Sequence, residues 1–251
     1  MSVLVGGVGE LFQGDLDLGR RAAERLASSH LASDVLVEDL HYGAIAVTQR
    51  LEELRPEALI LVGAAERGRP PGTVERRWIE PFVPDAAEFQ RSVEAAGTGH
   101  VSIDLLIDVA AGFGVLPRRT VAVEVEPARV EASDRLSNEA EVGLNEAVAL
   151  VRVEAGRIPL FELADRLRDL LGNGHLEPSP ALEAMTDLLN ELELLDREGR
   201  WGASLALRDR LRLRIAEGST GEGMDHLDWS QWWGLIEELD RLQAIEASTV
   251  P

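Results

Sequence analysis

The first eighty residues alternate between short apolar runs and stretches with helical periodicity. One apolar run begins at Val3, and others cover 34–39 and 58–62; each predicts a strand, and the first and third predict buried strands. Helical spacing over 17–26 and 44–54 predicts the helices between them, and 73–79 predicts a further strand. Strands joined through helices form a parallel sheet with right-handed crossovers. The pattern therefore predicts an α/β fold with a mostly parallel sheet flanked by helices.

The later pattern changes from mixed to all-helical. Residues 81–99 predict a loop with one short helix, 101–112 a helix, 118–126 a strand and 137–153 a helix that closes the first domain. Beyond it, apolar spacing predicts helices over 160–171, 178–195, 205–216 and 229–245. The glycine-rich stretch 218–223 has the composition of a flexible linker. We expect an α/β domain over 1–155 and a helical extension over 156–251.

The amino-acid composition argues against several kinds of partner and site. Asp and Glu number 45 against 25 basic residues, for a net charge of −20. This charge argues against nucleic acid and anionic membranes as main partners. The absence of cysteine excludes disulfides, a thiol nucleophile and a thiolate metal site. No apolar stretch is long enough to span a bilayer and no signal-peptide pattern opens the chain, so we expect a cytoplasmic protein.

Polar side chains follow the predicted strands, at the sheet edge where α/β folds place their ligands. Carboxylates and imidazoles together suit a metal such as nickel or zinc. Each residue also has a structural interpretation: the aspartate at 15 as a helix N-cap, the histidines as surface or capping residues, and the others as solvated charges. The candidates are Glu10, Asp15, Asp17, Asp39, His41, Glu66 and His100.

Two other kinds of site are disfavoured. In a dinucleotide-binding turn a third glycine would stand where the chain has Phe12, and Glu10 would face the phosphates with a negative charge. A serine hydrolase of the α/β type would carry a Gly-x-Ser-x-Gly turn, which the sequence lacks.

Four segments, in order and spacing, resemble the NiFe-hydrogenase maturation endopeptidases. The first is residues 4–19, Leu-Val-Gly-Gly-Val-Gly-Glu-Leu-Phe-Gln-Gly-Asp-Leu-Asp-Leu-Gly. The others are 59–64 followed by 71–74, Gly99-His100 before a helix, and Pro117 before a strand that ends near Glu126-Pro127. The resemblance covers roughly residues 3–153.

The resemblance implies a single α/β domain that clips a C-terminal extension from the hydrogenase large subunit after nickel insertion. In the family, an acidic residue after the first glycine turn, an aspartate ending the third strand and a later histidine recognise the nickel. Those positions fall here on Leu16, Gly63 and His100. Glu10 replaces the usual asparagine, and Leu40 with His41 replaces a glycine. We therefore expect a degenerate member with no resident cofactor, any nickel being carried by the substrate.

The first functional hypothesis is a non-catalytic accessory factor that binds a hydrogenase large subunit or a related metalloprotein precursor. Its helical extension would add contact area. Three tryptophans, Trp229, Trp232 and Trp233, fall at helical spacing and are of the residue type enriched at binding hot spots. The alternative is that they only cover the α/β domain. The oligomeric state is left open.

Two further hypotheses stay open. An active endopeptidase with a rewired metal-recognition site would bring Glu10, Asp17, His41 and His100 within metal-bridging distance of one another. A DNA-binding regulator would use the helices of 160–202, the winged-helix-like stretch 194–201 and a basic cluster, Arg208, Arg210, Arg212 and Arg214. The excess of acidic over basic residues in this region argues against the DNA-binding hypothesis.

Overall fold

The computed structural model describes residues 3–29, 31–32, 34–172, 180–200, 204–218 and 229–249. The chain forms two compact units, Met1–Ala155 and Gly156–Pro251. We call them the α/β unit and the helical unit. No helix in the described ranges combines the length and the apolar character needed to cross a membrane.

The α/β unit is built on a five-stranded sheet. Its strands are β1 (Val3–Val8), β2 (Val35–Asp39), β3 (Ala58–Ala64), β4 (Val74–Ile79) and β5 (Arg119–Val125), in the order β2-β1-β3-β5-β4. All neighbours pair in parallel except β4, which is antiparallel to β5 at the sheet's edge. The predicted fold class, a mostly parallel sheet flanked by helices with a helical C-terminal region, is confirmed.

Four helices belong wholly to this unit: α1 (Leu18–Ala27), α2 (Ala44–Leu54), α3 (Ala86–Ala96) and α4 (Ile103–Gly112). A short 3₁₀ turn, Gly14–Asp17, precedes α1. The pattern had predicted mostly loop over 81–99, but α3 fills eleven of those residues. Its start is fixed by a capping box, in which Asp85 and Glu88 each accept a backbone N–H of the other.

The central strands carry the core. β1 and β3 are buried along almost their whole length, as expected for parallel strands covered on both faces. Helix α1 lies directly against β1 because Gly19 has no side chain: a Cβ there would stand 2.0 Å from the carbonyl oxygen of Val8. This close approach explains why the opening motif ends in a glycine, and it fixes the turn that carries the candidate site.

Helix α5 (Asn138–Gly172) corrects the predicted helices 137–153 and 160–171, because the chain forms one helix of 35 residues. Gly156 and Pro159 stand in the predicted gap. A proline inside a helix removes one backbone hydrogen bond and crowds the preceding turn, which weakens a helix without always ending it. Here the helix continues through it.

The helical unit has its own apolar core. The final part of α5 is joined there by α6 (Pro180–Glu198), α7 (Ser204–Gly218) and α8 (Trp229–Thr249). Leucines of all four helices, with Met185, Ile215 and Trp232, form this core. The predicted helices 178–195, 205–216 and 229–245 match these elements in the described residues, whereas residues 219–223 of the predicted linker lie outside them.

Candidate functional site

Loops that follow β1, β2 and β3 meet the segment before α4 at one edge of the sheet, as the sequence predicts. Two adjoining cavities open there. The strand-end cavity, of about 130 Å³, is lined by Val8, Gly9, Glu10, Leu16, Ala64, Ala65, Glu66, Arg67, His100, Val101, Ser102, Ile103 and Asp104. The loop cavity, of about 410 Å³, is lined by Gly9, Glu10, Leu11, Gln13, His41, Thr98, Gly99, His100 and Val101.

Glu10 and His100 are the two ionisable residues that line both cavities, along with Gly9 and Val101. The Glu10 carboxylate contacts Nδ1 of the His100 ring. The backbone N–H of Glu10 donates to the carbonyl of Leu16 at 3.0 Å, which holds the turn after β1. His100 stands two residues before Ser102, whose hydroxyl oxygen caps α4 by accepting the Leu105 N–H. The imidazole is thus held by the Glu10 carboxylate, and its backbone lies just before a capped helix.

His41 has a carboxylate partner of its own. Its Nδ1 lies 2.9 Å from Asp39 Oδ2, at the end of β2. The ring of Tyr42 meets it edge-on. The loop cavity therefore has two imidazoles in its walls, and each has a carboxylate at Nδ1.

Asp15 and Asp17 do not line either cavity, which corrects their assignment to the site. Asp15 does not cap α1; it accepts hydrogen bonds from the backbone N–H groups of Ala128, Arg129 and Ser137. Asp17 is nearly buried and is ion-paired with Arg20 and Arg21.

The rewired site therefore does not assemble in the predicted form, because Asp17 is engaged within its own helix. Across the ranges that the structure describes, no three His, Asp or Glu side chains are close enough to hold one metal ion. Glu10, His41 and His100 do come to the same cavity.

Of the two positions predicted to have lost carboxylates, one is in the wall of the strand-end cavity and the other is the residue before Ala64, which lines it. Leu16 lines it with an apolar side chain. Gly63, near the end of β3, has no room for a side chain, since a Cβ there would lie 2.4 Å from the Val8 carbonyl oxygen. A carboxylate at 63 is therefore incompatible with the present backbone.

An arginine–carboxylate network beside the strand-end cavity was missed by the sequence analysis. Arg67 is 2.7 Å from both Asp104 and Glu124, and Arg77 is also 2.7 Å from both carboxylates. Arg69 reaches Glu124 at 3.1 Å. The signal that could have revealed it is Glu124, an acidic residue near the end of an otherwise apolar strand, because a buried charge needs partners.

The network holds its carboxylates in the ionised form. Hydrogen bonds from Arg67 lower the pKa of Asp104. Burial raises the pKa of Glu124, but the pairs with Arg67 and Arg77 outweigh burial and the net shift is downward. Burial likewise opposes the lowering of the Glu126 pKa, which comes from the N–H of Arg67 and from Arg69. These charges are already neutralised by guanidinium groups.

The three tryptophans of α8 do not share one exposed face. Trp232 is 1% exposed in the core of the helical unit, and Trp229 packs against that core. Only Trp233 is substantially exposed, at 43%. Neighbouring residues of a helix differ by about 100° in direction, which separates Trp233 from Trp232. Trp232 is thus unavailable as a partner contact.

No family model and no curated protein matches the chain. Among solved structures, the hydrogenase 2 maturation peptidase of a Thaumarchaeota archaeon is 27% identical, with a TM-score of 0.44, and the match covers 60% of this chain and 95% of that one. The hydrogenase maturating endopeptidase HybD of E. coli is 23% identical, with a TM-score of 0.45, and the match covers 60% of this chain and 90% of that one. The NiFe-hydrogenase maturation protease HycI of Thermococcus kodakarensis is 17% identical, with a TM-score of 0.44, and the match covers 60% of this chain and 90% of that one. The solved structures similar to this chain thus include NiFe-hydrogenase maturation proteases, the family that its sequence resembles.

Proposed function

We propose that this protein is a maturation-protease-like accessory factor. It binds a NiFe-hydrogenase large subunit, or a related metalloprotein precursor, and does not cleave it by the family mechanism. The observation that carries the proposal is that an apolar side chain, Leu16, lines the strand-end cavity, and that Gly63, which precedes the lining residue Ala64, has no room for a side chain. The resemblance places the family's two carboxylates at these positions.

The chemistry of these two positions argues against recognition of a metal by the family's pair of carboxylates. Leu16 offers no oxygen, and the backbone of β1 excludes any side chain at Gly63. Asp104 also lines the cavity, but its carboxylate is bound by two arginines. A cation would have to displace a guanidinium group to reach it, which costs the charge-assisted hydrogen bonds already made.

An exposed aromatic residue beside the loop cavity supports the binding role. Phe12 is 69% exposed and has a φ of 60°, a left-handed conformation that costs a residue with a Cβ roughly 1–2 kcal/mol. Its neighbour Leu11 is 40% exposed and Tyr42 is 44% exposed. A strained backbone that presents apolar side chains to solvent is typical of a surface that contacts another molecule.

The test is to mix the purified protein with the nickel-loaded large-subunit precursor of its host. Size-exclusion chromatography reports complex formation, and mass spectrometry reports whether the precursor loses its C-terminal extension. We expect a stable complex and an intact precursor. Cleavage that is lost in His100→Ala would contradict the proposed absence of catalysis, and the lack of any complex would remove the accessory role.

A pair of matched variants locates the binding surface. Phe12→Asn removes the exposed ring and places a residue that tolerates positive φ, so the fold is retained. Phe82→Asn removes another exposed phenylalanine, 41% exposed, from the loop before α3. We expect at least tenfold weaker binding for the first variant and unchanged binding for the second. If the two variants weaken binding equally, the precursor does not contact the protein through Phe12 in particular.

The second candidate function is cleavage through a rewired site. The observation that favours it is the presence of Glu10, His41 and His100 in the walls of one cavity. The same mass-spectrometry experiment decides between the two functions, because only this candidate predicts a shortened precursor.

A further inference from the structure

The backbone of Phe12 has a conformation that the residue itself does not favour. Its φ of 60° lies in the left-handed region, and its ring is exposed, so neither backbone preference nor burial of the ring holds it there. Such a conformation persists only where surrounding contacts impose it. Those contacts come from a segment more than a hundred residues later in the chain, the β5–α5 loop, which covers residues 126–137.

Three backbone hydrogen bonds join the turn at Phe12 to the β5–α5 loop. The Ser133 N–H donates to the Phe12 carbonyl at 3.0 Å, and the Gly14 N–H donates to the Ser133 carbonyl at the same distance. The Asp15 N–H donates to the Arg129 carbonyl at 3.2 Å. Because every one of these bonds involves the backbone of the loop, they hold Phe12 only while the loop keeps its own conformation.

The buried carboxylate of Asp15 holds that loop near both of its ends. Near the start of the loop, Oδ2 accepts the N–H groups of Ala128 and Arg129, each at 2.9 Å. At the end, Ser137 donates its N–H to Oδ1 at 2.7 Å and its hydroxyl to Oδ2 at 2.8 Å. Asp15 is 0% exposed, so these four hydrogen bonds replace those that water would make. Hydrogen bonds to a carboxylate are roughly twice as strong as neutral ones, so one side chain fixes the loop.

We infer that Asp15 is a positioning residue for the binding surface. It closes the β5–α5 loop, and the loop holds the Phe12 backbone in the conformation that presents the ring to solvent. The inference rests on the proposed function, since it deepens the role of Phe12 as a contact for the precursor. A surface that is already held in its binding conformation loses less conformational entropy on association. Asp15 thus contributes to affinity for the precursor although it is buried and cannot touch it.

Hydrogen–deuterium exchange of the free full-length protein, measured by mass spectrometry, tests the positioning without any precursor. Asp15→Asn keeps the shape of the side chain but replaces one oxygen by an NH₂ group, which cannot accept a hydrogen bond. We expect at least tenfold faster exchange in segments 10–16 and 127–137. Glu154→Gln is the matched control, because it removes another buried carboxylate of the α/β unit, the partner of Arg76, and should leave both segments unchanged. Unchanged exchange in Asp15→Asn, or equal acceleration in the control, would overturn the inference.

A milder variant covers the case in which Asp15→Asn does not fold, which circular dichroism would show. Ser137→Ala removes one of the four hydrogen bonds and leaves the carboxylate with its three backbone donors. We expect a smaller acceleration of exchange in the same two segments. If exchange there stays at the rate of the unmodified protein, Asp15 does not hold the loop and the inference is wrong.

Affinity for the precursor then shows whether Asp15 acts through Phe12. Asp15→Asn should weaken binding at least tenfold in the unmodified protein and by less than twofold in the Phe12→Asn background, where no ring is left to position. An equal loss in both backgrounds would mean that Asp15 acts by another route, contrary to the inference. If the unmodified protein forms no complex, the accessory role fails, whereas the exchange experiment still decides whether Asp15 positions Phe12.

Discussion

At the scale of single residues, Gly63 and Leu16 test whether the lost carboxylates can be restored. Gly63→Asp should destabilise the protein by at least about 2 kcal/mol, because its Cβ would meet the Val8 carbonyl at 2.4 Å and the buried strand must shift. Leu16→Glu should fold with near-normal stability, since that side chain is partly exposed at the strand-end cavity. Urea denaturation at pH 7 measures both variants.

Each substitution serves as the control for the other, because each introduces one carboxylate at a position that the resemblance assigns to an acidic residue. If Gly63→Asp is as stable as Leu16→Glu, the strand has room for a side chain and the degeneracy is easily reversed. In that case the absence of a carboxylate at 63 would say little about function.

The predicted convergence at the sheet edge held for Glu10, His41, Glu66 and His100, because strand order alone brings the ends of parallel strands together. It was wrong for Asp15 and Asp17. Residue spacing cannot reveal that Asp15 accepts hydrogen bonds from backbone N–H groups more than a hundred residues away, or that Asp17 forms ion pairs with Arg20 and Arg21. Long-range pairing of this kind leaves no periodic signal.

At the scale of elements, the arginine–carboxylate network ties β4, β5, α4 and the loop after β3 together, and it should make stability sensitive to acid. Asp104, Glu124 and Glu126 all have lowered pKa values in the folded state. Their stabilisation is therefore complete above the unfolded pKa values of about 4 to 4.5 and is lost as the pH falls through the folded values. Asp108 acts in the opposite sense, because burial and the charge of Asp104 raise its pKa.

Urea denaturation between pH 7 and pH 3 measures this effect, with Glu124→Gln as the diagnostic variant. We expect it to be about 3 kcal/mol less stable at pH 7, since three arginines lose a buried partner, and to have a shallower decline below pH 5. Glu57→Gln, at an exposed position, should follow the unmodified protein. Parallel curves for Glu124→Gln and the unmodified protein would show that the network does not link stability to pH.

The elements themselves were largely predictable. β1 to β3 and α2 follow from apolar runs and helical spacing. The signal is strongest for β1 and β3, because strands covered on both faces are apolar along almost their whole length. Two elements differed. α3 was underestimated because its start depends on the capping box at Asp85 rather than on apolar spacing. α5 was divided in two because a proline normally ends a helix, whereas Pro159 is accommodated within this one.

At the scale of the whole molecule, the charge distribution argues against the DNA-binding hypothesis. The net charge is −20, and the basic cluster of the helical unit is internally neutralised. Arg208 and Arg212 each pair with Asp240, and Arg210 pairs with Glu191. DNA phosphates would have to displace these carboxylates while repelled by the molecule's overall charge.

We therefore expect no binding to duplex DNA, even at low salt, where phosphate attraction is strongest. Fluorescence anisotropy with a labelled duplex of about 20 base pairs at roughly 20 mM salt measures it. The decisive comparison is Asp240→Asn, which frees Arg208 and Arg212 from their shared partner. If this variant binds DNA and the unmodified protein does not, the intramolecular ion pairs are what prevent the arginine cluster from binding DNA. Salt-sensitive DNA binding by the unmodified protein that is lost in Arg212→Ala would contradict this prediction. It would mean that DNA phosphates displace the paired carboxylates from the arginines, and it would support the hypothesis of a DNA-binding regulator.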